Sequence, residues 1–334
     1  MPASYVKLDL KVLQERAEEA RQHLAHCDLC GWECGINRLE GKLGVCKTGE
    51  LAYISSFGPH YGEEGPLRGW RGSGTIFLSG CNLRCQYCQN YEISHLYQGY
   101  PVTPPQLAEI MLQLQTIGCH NINLVSPSHV IVPILQALPI ARSKGLQIPL
   151  VYNTGGYDSL TALKLLEGII DIYMPDMKYS DASLAQKYSK IPKYPEVNQL
   201  AVKEMHRQVG DLALDEHGIA QRGLLIRHLV LPNNIAGSEQ ILKFIAEEIS
   251  PNTYLNIMDQ YRPLYQAKQY PEIYRCITSM EYHQVFDLAK SLGLTRLDRV
   301  NLYLDISEQN GKLKTMRVSV SPSKLSPFPP TRKP

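Results

Sequence analysis

The stretch TIFLSGCNLRCQYCQNYEIS, Thr75 to Ser94, decides how this chain is read. Its first residues, Thr75 to Gly80, form a short apolar run suited to a buried strand. Cys81, Cys85 and Cys88 follow at once, spaced C-x3-C-x2-C. Three thiolates are one too few for a closed tetrahedral metal site. They suit a cubic [4Fe–4S] cluster whose fourth iron stays open to a small molecule. Zinc would need a fourth ligand nearby, for which His95 is the candidate.

Working outward, the same pattern repeats. HNINLVS, LQIPLVYNTGG, IIDIYMPDMKY, LLIRHLVLP and TYLNIMDQY read as five further strands. Helical stretches separate them. TPPQLAEIMLQLQTIG carries Thr103, Pro104 and Gln106 in a capping-box arrangement. DSLTALKLLEG reads as a helix capped by Asp158, and DLALDEHGIAQRG as a small hairpin. Six strands alternating with helices predict parallel strands joined by right-handed crossovers. No Gly-x-Gly-x-x-Gly follows the first strand, so a dinucleotide fold is disfavoured. The expected fold is α/β: a partial (β/α)6 TIM-like barrel preceded by a Cys-rich metal-binding module. In such barrels chemistry sits at the C-terminal ends of the strands, where the three cysteines begin.

Upstream, CDLCGWECGINRLEGKLGVC places Cys27, Cys30, Cys34 and Cys46 at C-x2-C-x3-C-x11-C. Four thiolates make a closed site. This glycine-rich stretch has little apolar surface to bury, so a metal is expected to hold it together. Zinc and a second iron–sulfur cluster both fit the spacing. The chain divides into an N-terminal helix (1–26), the Cys-rich module (27–73), the barrel (74–305) and a Pro/Ser-rich tail (306–334) expected to be extended or disordered.

Composition narrows the class. Of nine cysteines, seven fall in these two groups, which favours metal ligation over disulfides and a cytoplasmic setting. The isolated Cys119 and Cys276 read as small core residues. A net charge of +2 and no basic, aromatic-interleaved stretch leave no case for a nucleic-acid partner. No apolar run is long enough for a membrane span.

C-x3-C-x2-C, with Tyr87 before the third cysteine, on the loop after the first barrel strand, resembles the radical S-adenosylmethionine (SAM) superfamily. More narrowly, the chain resembles the group related to the pyruvate formate-lyase activating enzymes, over about residues 74–292. The resemblance implies a [4Fe–4S] cluster on Cys81, Cys85 and Cys88 that chelates and reductively cleaves SAM. A 5′-deoxyadenosyl radical then takes hydrogen from a substrate, which in the activating enzymes is a glycine of a partner protein. It also implies an electron donor such as flavodoxin or ferredoxin.

Strand-end motifs carry the rest of the match. The Gly-Gly-Glu-Pro-like segment of the superfamily is replaced here by Ser126-Pro127-Ser128-His129, where backbone carbonyls and the Ser126 or Ser128 hydroxyl are the candidate contacts. Asn153-Thr154-Gly155-Gly156 resembles an Asp-Thr-Asn-Gly turn, and Met174-Pro175-Asp176-Met177-Lys178 resembles Met-x-Asp-x-Lys. Asn153, Thr154, Met174 and Asp176 are thereby placed around the methionine moiety, with a monovalent cation as a further ligand. Arg227 suits the cofactor carboxylate or a structural ion pair. Other readings are radical modification of a small molecule, peptide or RNA, and, in a different class, a metal-stapled binding protein.

Overall fold

The computed structural model describes residues 2–298, with the strand segments Ile306–Gln309 and Lys312–Met316. Nine strands form one open sheet. They are β1 (Ala52–His60), β2 (Ser73–Leu78), β3 (Tyr100–Val102), β4 (Ile122–Val125), β5 (Leu150–Thr154), β6 (Ile172–Pro175), β7 (Ala213–Leu214), β8 (Ala220–Leu229) and β9 (Tyr254–Met258). β2, β4, β5, β6, β8 and β9 run parallel to their neighbours, in that order. These are the six strands read from the sequence, and the α/β partial barrel is the fold observed.

The crossovers are the expected helices. Pro104–Ile117 joins β2 to β4, and Ile131–Ser143 joins β4 to β5. Leu160–Leu166 joins β5 to β6, and Ala182–Ser189 with Tyr194–Val209 lead from β6 towards β8. The Thr103 amide donates to Gln106 Oε1 at 2.8 Å, as the capping-box spacing predicted. The expected hairpin forms where β7 pairs antiparallel with β8.

Three expectations are corrected. The boundary drawn between residues 73 and 74 is not an edge of the sheet. β1 lies inside the stretch assigned to the Cys-rich module, yet pairs antiparallel with β2, and β3 pairs with β1. Helix Leu160–Leu166 is capped by Ser159, which accepts from the Ala162 amide at 3.2 Å. Asp158 instead turns inward and accepts from Tyr152 Oη and Thr154 Oγ1. Of the isolated cysteines, Cys119 is buried but Cys276 is exposed. The tail (306–334) falls outside the described residues apart from its two strand segments, which pair antiparallel.

Leu67, from the short helix Gly65–Arg68 between β1 and β2, is fully buried. It packs with Val151, Ile172, Met174, Leu212, Ala220 and Leu225. Met174 therefore belongs to this apolar layer, below the strand ends. No helix among the described residues is long and apolar enough to cross a membrane.

Candidate active site

The loop carrying Cys81, Cys85 and Cys88 folds across the strand ends because its backbone is tied down at both sides. The Arg84 and Gln86 amides donate to the Ser189 and Tyr188 carbonyls at 3.1 and 2.7 Å. Asn82 Nδ2 donates to the Tyr157 carbonyl at 2.8 Å, beyond β5. Gly155 packs underneath, where a Cβ would lie 2.9 Å from the Leu83 methyl groups and push them aside.

Each sulfur has a local donor. The Leu83 amide donates to Cys81 Sγ at 3.3 Å, Ser189 Oγ donates to Cys85 Sγ at 3.1 Å, and Ser94 Oγ lies 3.1 Å from Cys88 Sγ. Tyr87 is buried, its hydroxyl 2.7 Å from that of Tyr179, which is 2.8 Å from Ser189 Oγ. A chain of hydroxyls thus runs from Tyr87 to the Cys85 sulfur, so Tyr87 acts from behind the loop. Burial pushes the free thiols of Cys81 and Cys85 up to about 12 and about 11. Three bare thiolates would be costly here, and metal ions would have to displace the protons.

Beside the cysteines lies a charged group built from three strand ends. Arg227, on β8, donates from Nε to Asp176 Oδ1 at 2.9 Å and from Nη2 to Asn153 Oδ1 at 2.8 Å. Lys178 Nζ donates to Asp176 Oδ2 at 2.6 Å. Burial alone would raise the Asp176 carboxyl, but Lys178 and Arg227 together hold it below the ordinary carboxylate value. The Lys178 charge also acts on the thiols of Cys81, Cys85 and Cys88. Lys178 therefore links the cysteine loop to the charged group.

The predicted residues thus divide. Asn153, Asp176 and Arg227 come together beside the three cysteines. Thr154 faces inward, where its hydroxyl donates to Asp158 at 2.6 Å and accepts from the Gly156 amide. Ser126 is half-buried in a left-handed conformation at φ 59°, and its amide donates to the Asn153 carbonyl. The side-chain oxygens of Asn153, Thr154 and Asp176 all have partners, two of those partners being the chain's own cations. This is the physical objection to a bound monovalent cation at these side chains. His95 stacks on Tyr265 at 4.5 Å.

Sequence reasoning missed the acidic residues. Glu63 and Glu64, after β1, reach residues of β8 and β9. Glu63 pairs with His60 at 3.2 Å and lies 4.0 Å from Arg227. Glu64 is buried and accepts from Asn256 Nδ2, on β9, at 2.7 Å, while its second carboxylate oxygen has no partner. Burial raises the Glu64 carboxyl against the pull of Arg227. Two glutamates before Gly-Pro, in the stretch assigned to the Cys-rich module, carried no signal of this. Lys178 had one, as the last residue of the Met-x-Asp-x-Lys match.

The other four cysteines, Cys27, Cys30, Cys34 and Cys46, line a single cavity with Arg38, Trp32 and His129. Among the described residues, no three His, Cys, Asp or Glu side chains converge on a point that would hold a single metal ion. Both cysteine sets are therefore more open than a mononuclear zinc site.

Residues 67–128 match the model of the 4Fe-4S single cluster domain. Among solved structures, the chain is similar to HydG, a maturase of the [FeFe]-hydrogenase, at 12% identity and a TM-score of 0.43. That match covers 65% of this chain, which spans about half (48%) of the HydG chain. It is also similar to TYW1 with a lysine-pyruvate adduct bound, at 12% identity and a TM-score of 0.39, over 72% of this chain and 78% of that one. A radical SAM methyltransferase from Sphaerobacter thermophilus matches over 88% of this chain and 94% of its own, at 12% identity and a TM-score of 0.44. The uncharacterized protein MJ0674 of Methanocaldococcus jannaschii is 33% identical over 303 residues, 87% of this chain and 81% of its own. At that identity and coverage, the chain belongs to the same family as MJ0674.

Proposed function

We propose that the chain is a radical SAM enzyme of the activating-enzyme type. The observation that carries this reading is the three-cysteine loop at the strand ends, with Lys178, Asp176, Arg227 and Asn153 beside it. The fit is chemical. Three buried sulfurs with their own donors, too open for one ion, suit three corners of a cubic cluster. When bound, a reduced [4Fe–4S] cluster and SAM supply a 5′-deoxyadenosyl radical that takes hydrogen from an unactivated carbon.

The chain's own residues would do the following. Cys81, Cys85 and Cys88 hold the irons, and Lys178 offsets the negative charge of the thiolates. Arg227 and Lys178 offer cationic donors to the SAM carboxylate, and Asp176 and Asn153 offer acceptors to its ammonium group. Leu83 and the buried tyrosines keep water away from the cluster side. The resemblance to the activating enzymes supports a glycine of a partner protein as substrate, and flavodoxin or ferredoxin as the electron donor. A small polar substrate is favoured instead by the unpartnered oxygen of Glu64, whose carboxyl feels the Arg227 charge. The buried Asn123 on β4, whose side-chain amide also lacks a partner, favours the same reading.

The test is anaerobic reconstitution, reduction and addition of SAM. We expect 5′-deoxyadenosine from the native protein and none from the C81A/C85A/C88A variant. Equal production by both would overturn the assignment.

A further inference from the structure

Arg38 is 2% exposed, and its guanidinium points into the cavity lined by Cys27, Cys30, Cys34 and Cys46. It donates to the Gly49 carbonyl from Nε at 3.1 Å and to the His129 carbonyl from Nη2 at 3.0 Å. Nη1 lies 3.9 Å from Cys27 Sγ. Among the described residues, no carboxylate forms an ion pair with it. A buried cation without a counter-charge is costly, because carbonyl dipoles return only part of the lost hydration. Four neutral thiols would not supply that charge. Four metal-bound thiolates would, so the cavity is built for an anionic centre.

The choice between metals is one of geometry. A single zinc ion holds each sulfur at about 2.3 Å, which brings all four to one point. These sulfurs do not converge in that way. They line one shared cavity instead. Its remaining walls include the apolar Leu29, Trp32, Ile36 and Val45, while Cys34 is exposed at its edge. The loop closes tightly, since a Cβ at Gly44 would lie 3.1 Å from Cys34 Sγ. Trp32 ties this wall to the loop of Cys81, Cys85 and Cys88, its Nε1 donating to the Asn82 carbonyl at 2.6 Å.

We propose that Cys27, Cys30, Cys34 and Cys46 hold a second, fully cysteine-ligated [4Fe–4S] cluster, with Arg38 as its buried counter-ion. This does not depend on the function proposed for Cys81, Cys85 and Cys88. Arg38 is a positioning and tuning residue. A cation against the sulfurs favours the more negative, reduced state and raises the reduction potential.

The test uses the full chain, reconstituted anaerobically, with iron, sulfide and zinc counted. We expect about eight irons in the native protein and about four in the C81A/C85A/C88A variant. The variant's remaining irons should give a cubic-cluster paramagnetic signal on reduction. One zinc with no iron, about two irons, or no metal in that variant would overturn the proposal. Four irons in both proteins would uphold it while sinking the function proposed for the other loop. For Arg38, potentiometric titration of the same signal is the readout, made in the C81A/C85A/C88A background. Arg38→Gln should keep the iron and shift the potential downward, and Arg38→Lys should recover part of the shift. An unchanged potential in Arg38→Gln would overturn the counter-ion role.

Discussion

At the scale of single residues, Asp176 separates binding from stability. It is the shared partner of Lys178 and Arg227, and all three side chains are largely buried. Removing its charge leaves two cations facing each other with little solvent. Breaking a buried pair of this kind costs about 3–5 kcal/mol. Asp176→Asn should therefore lower the unfolding free energy by an amount of that order, measured by urea titration. If the proposed function holds, it should also weaken SAM binding to the reconstituted protein by tenfold or more while iron content stays unchanged. Calorimetry on the loaded protein reads the second effect. Lost stability with unaltered SAM affinity would make Asp176 a structural ion-pair residue only.

At the scale of elements, the turn after β5 sets where Asp176 sits. Gly156 has φ of +75°, and a Cβ there would fall 2.2 Å from Asn198 Nδ2 and 2.4 Å from the Asp176 carbonyl. Asn198, on helix Tyr194–Val209, donates to both the Gly156 and Asp176 carbonyls and so clamps β5 to β6. Gly168 supplies the control, with φ of +74° and nothing within 4 Å of its Cβ position. Alanine at either site costs the left-handed strain of about 1–2 kcal/mol. Only at Gly156 must the clamp move as well. Gly156→Ala should therefore be clearly less stable than Gly168→Ala, and it alone should weaken SAM binding. Thermal melts and the same calorimetric titration test this, and equal effects from the two substitutions would refute it.

At the scale of the whole molecule, buried histidines make stability depend on pH. His228 hydrogen-bonds the Met177 carbonyl through Nδ1 and Ser238 Oγ through Nε2, both at 2.8 Å. Burial lowers its pKa from 6.5 to about 4, against the pull of the Met177 carbonyl and Asp176 and with the push of Lys178. The sign follows directly. The unfolded chain takes up this proton first, so the stabilisation is full above pH 6.5 and is lost as pH falls towards 4. Asp176 behaves in the same direction but lower, losing its contribution only below its ordinary value of 3.8. Glu64 and Asp158, raised by burial, work the other way. The difference between native protein and His228→Asn isolates the histidine. It should be smaller at pH 5 than at pH 7.5 by about 2 kcal/mol, since each pKa unit is worth 1.36 kcal/mol. A pH-independent difference would disprove neutral burial of His228.

What the sequence determined by itself was whatever depends on local order along the chain. The six parallel strands were legible because each is a short apolar run between helices with recognisable ends. Cys81, Cys85 and Cys88 were legible because a spacing is a local property, and so were the four upstream cysteines as a set. The cap of helix Leu160–Leu166 lay one residue away from the expected Asp158, because either residue suits that position and only burial against Tyr152 and Thr154 draws Asp158 inward. Tertiary structure alone decided the rest. β1 and β3 became part of the sheet because β2 offered an unpaired edge, a fact with no signature inside β1. Glu63 and Glu64 reached Arg227 and Asn256 because the short helix that follows them buries Leu67 against residues of the sheet and so holds the preceding residues beside β8 and β9. Met174 went to the apolar layer while its near neighbour Asp176 reached the charged group, because a strand ends between them. Arg38 reached the His129 carbonyl, far along the chain, while staying against Cys27 of its own loop, and only the fold brings those partners together. Local sequence fixes which groups a segment carries, but their partners and their charge balance come from segments far apart in the chain.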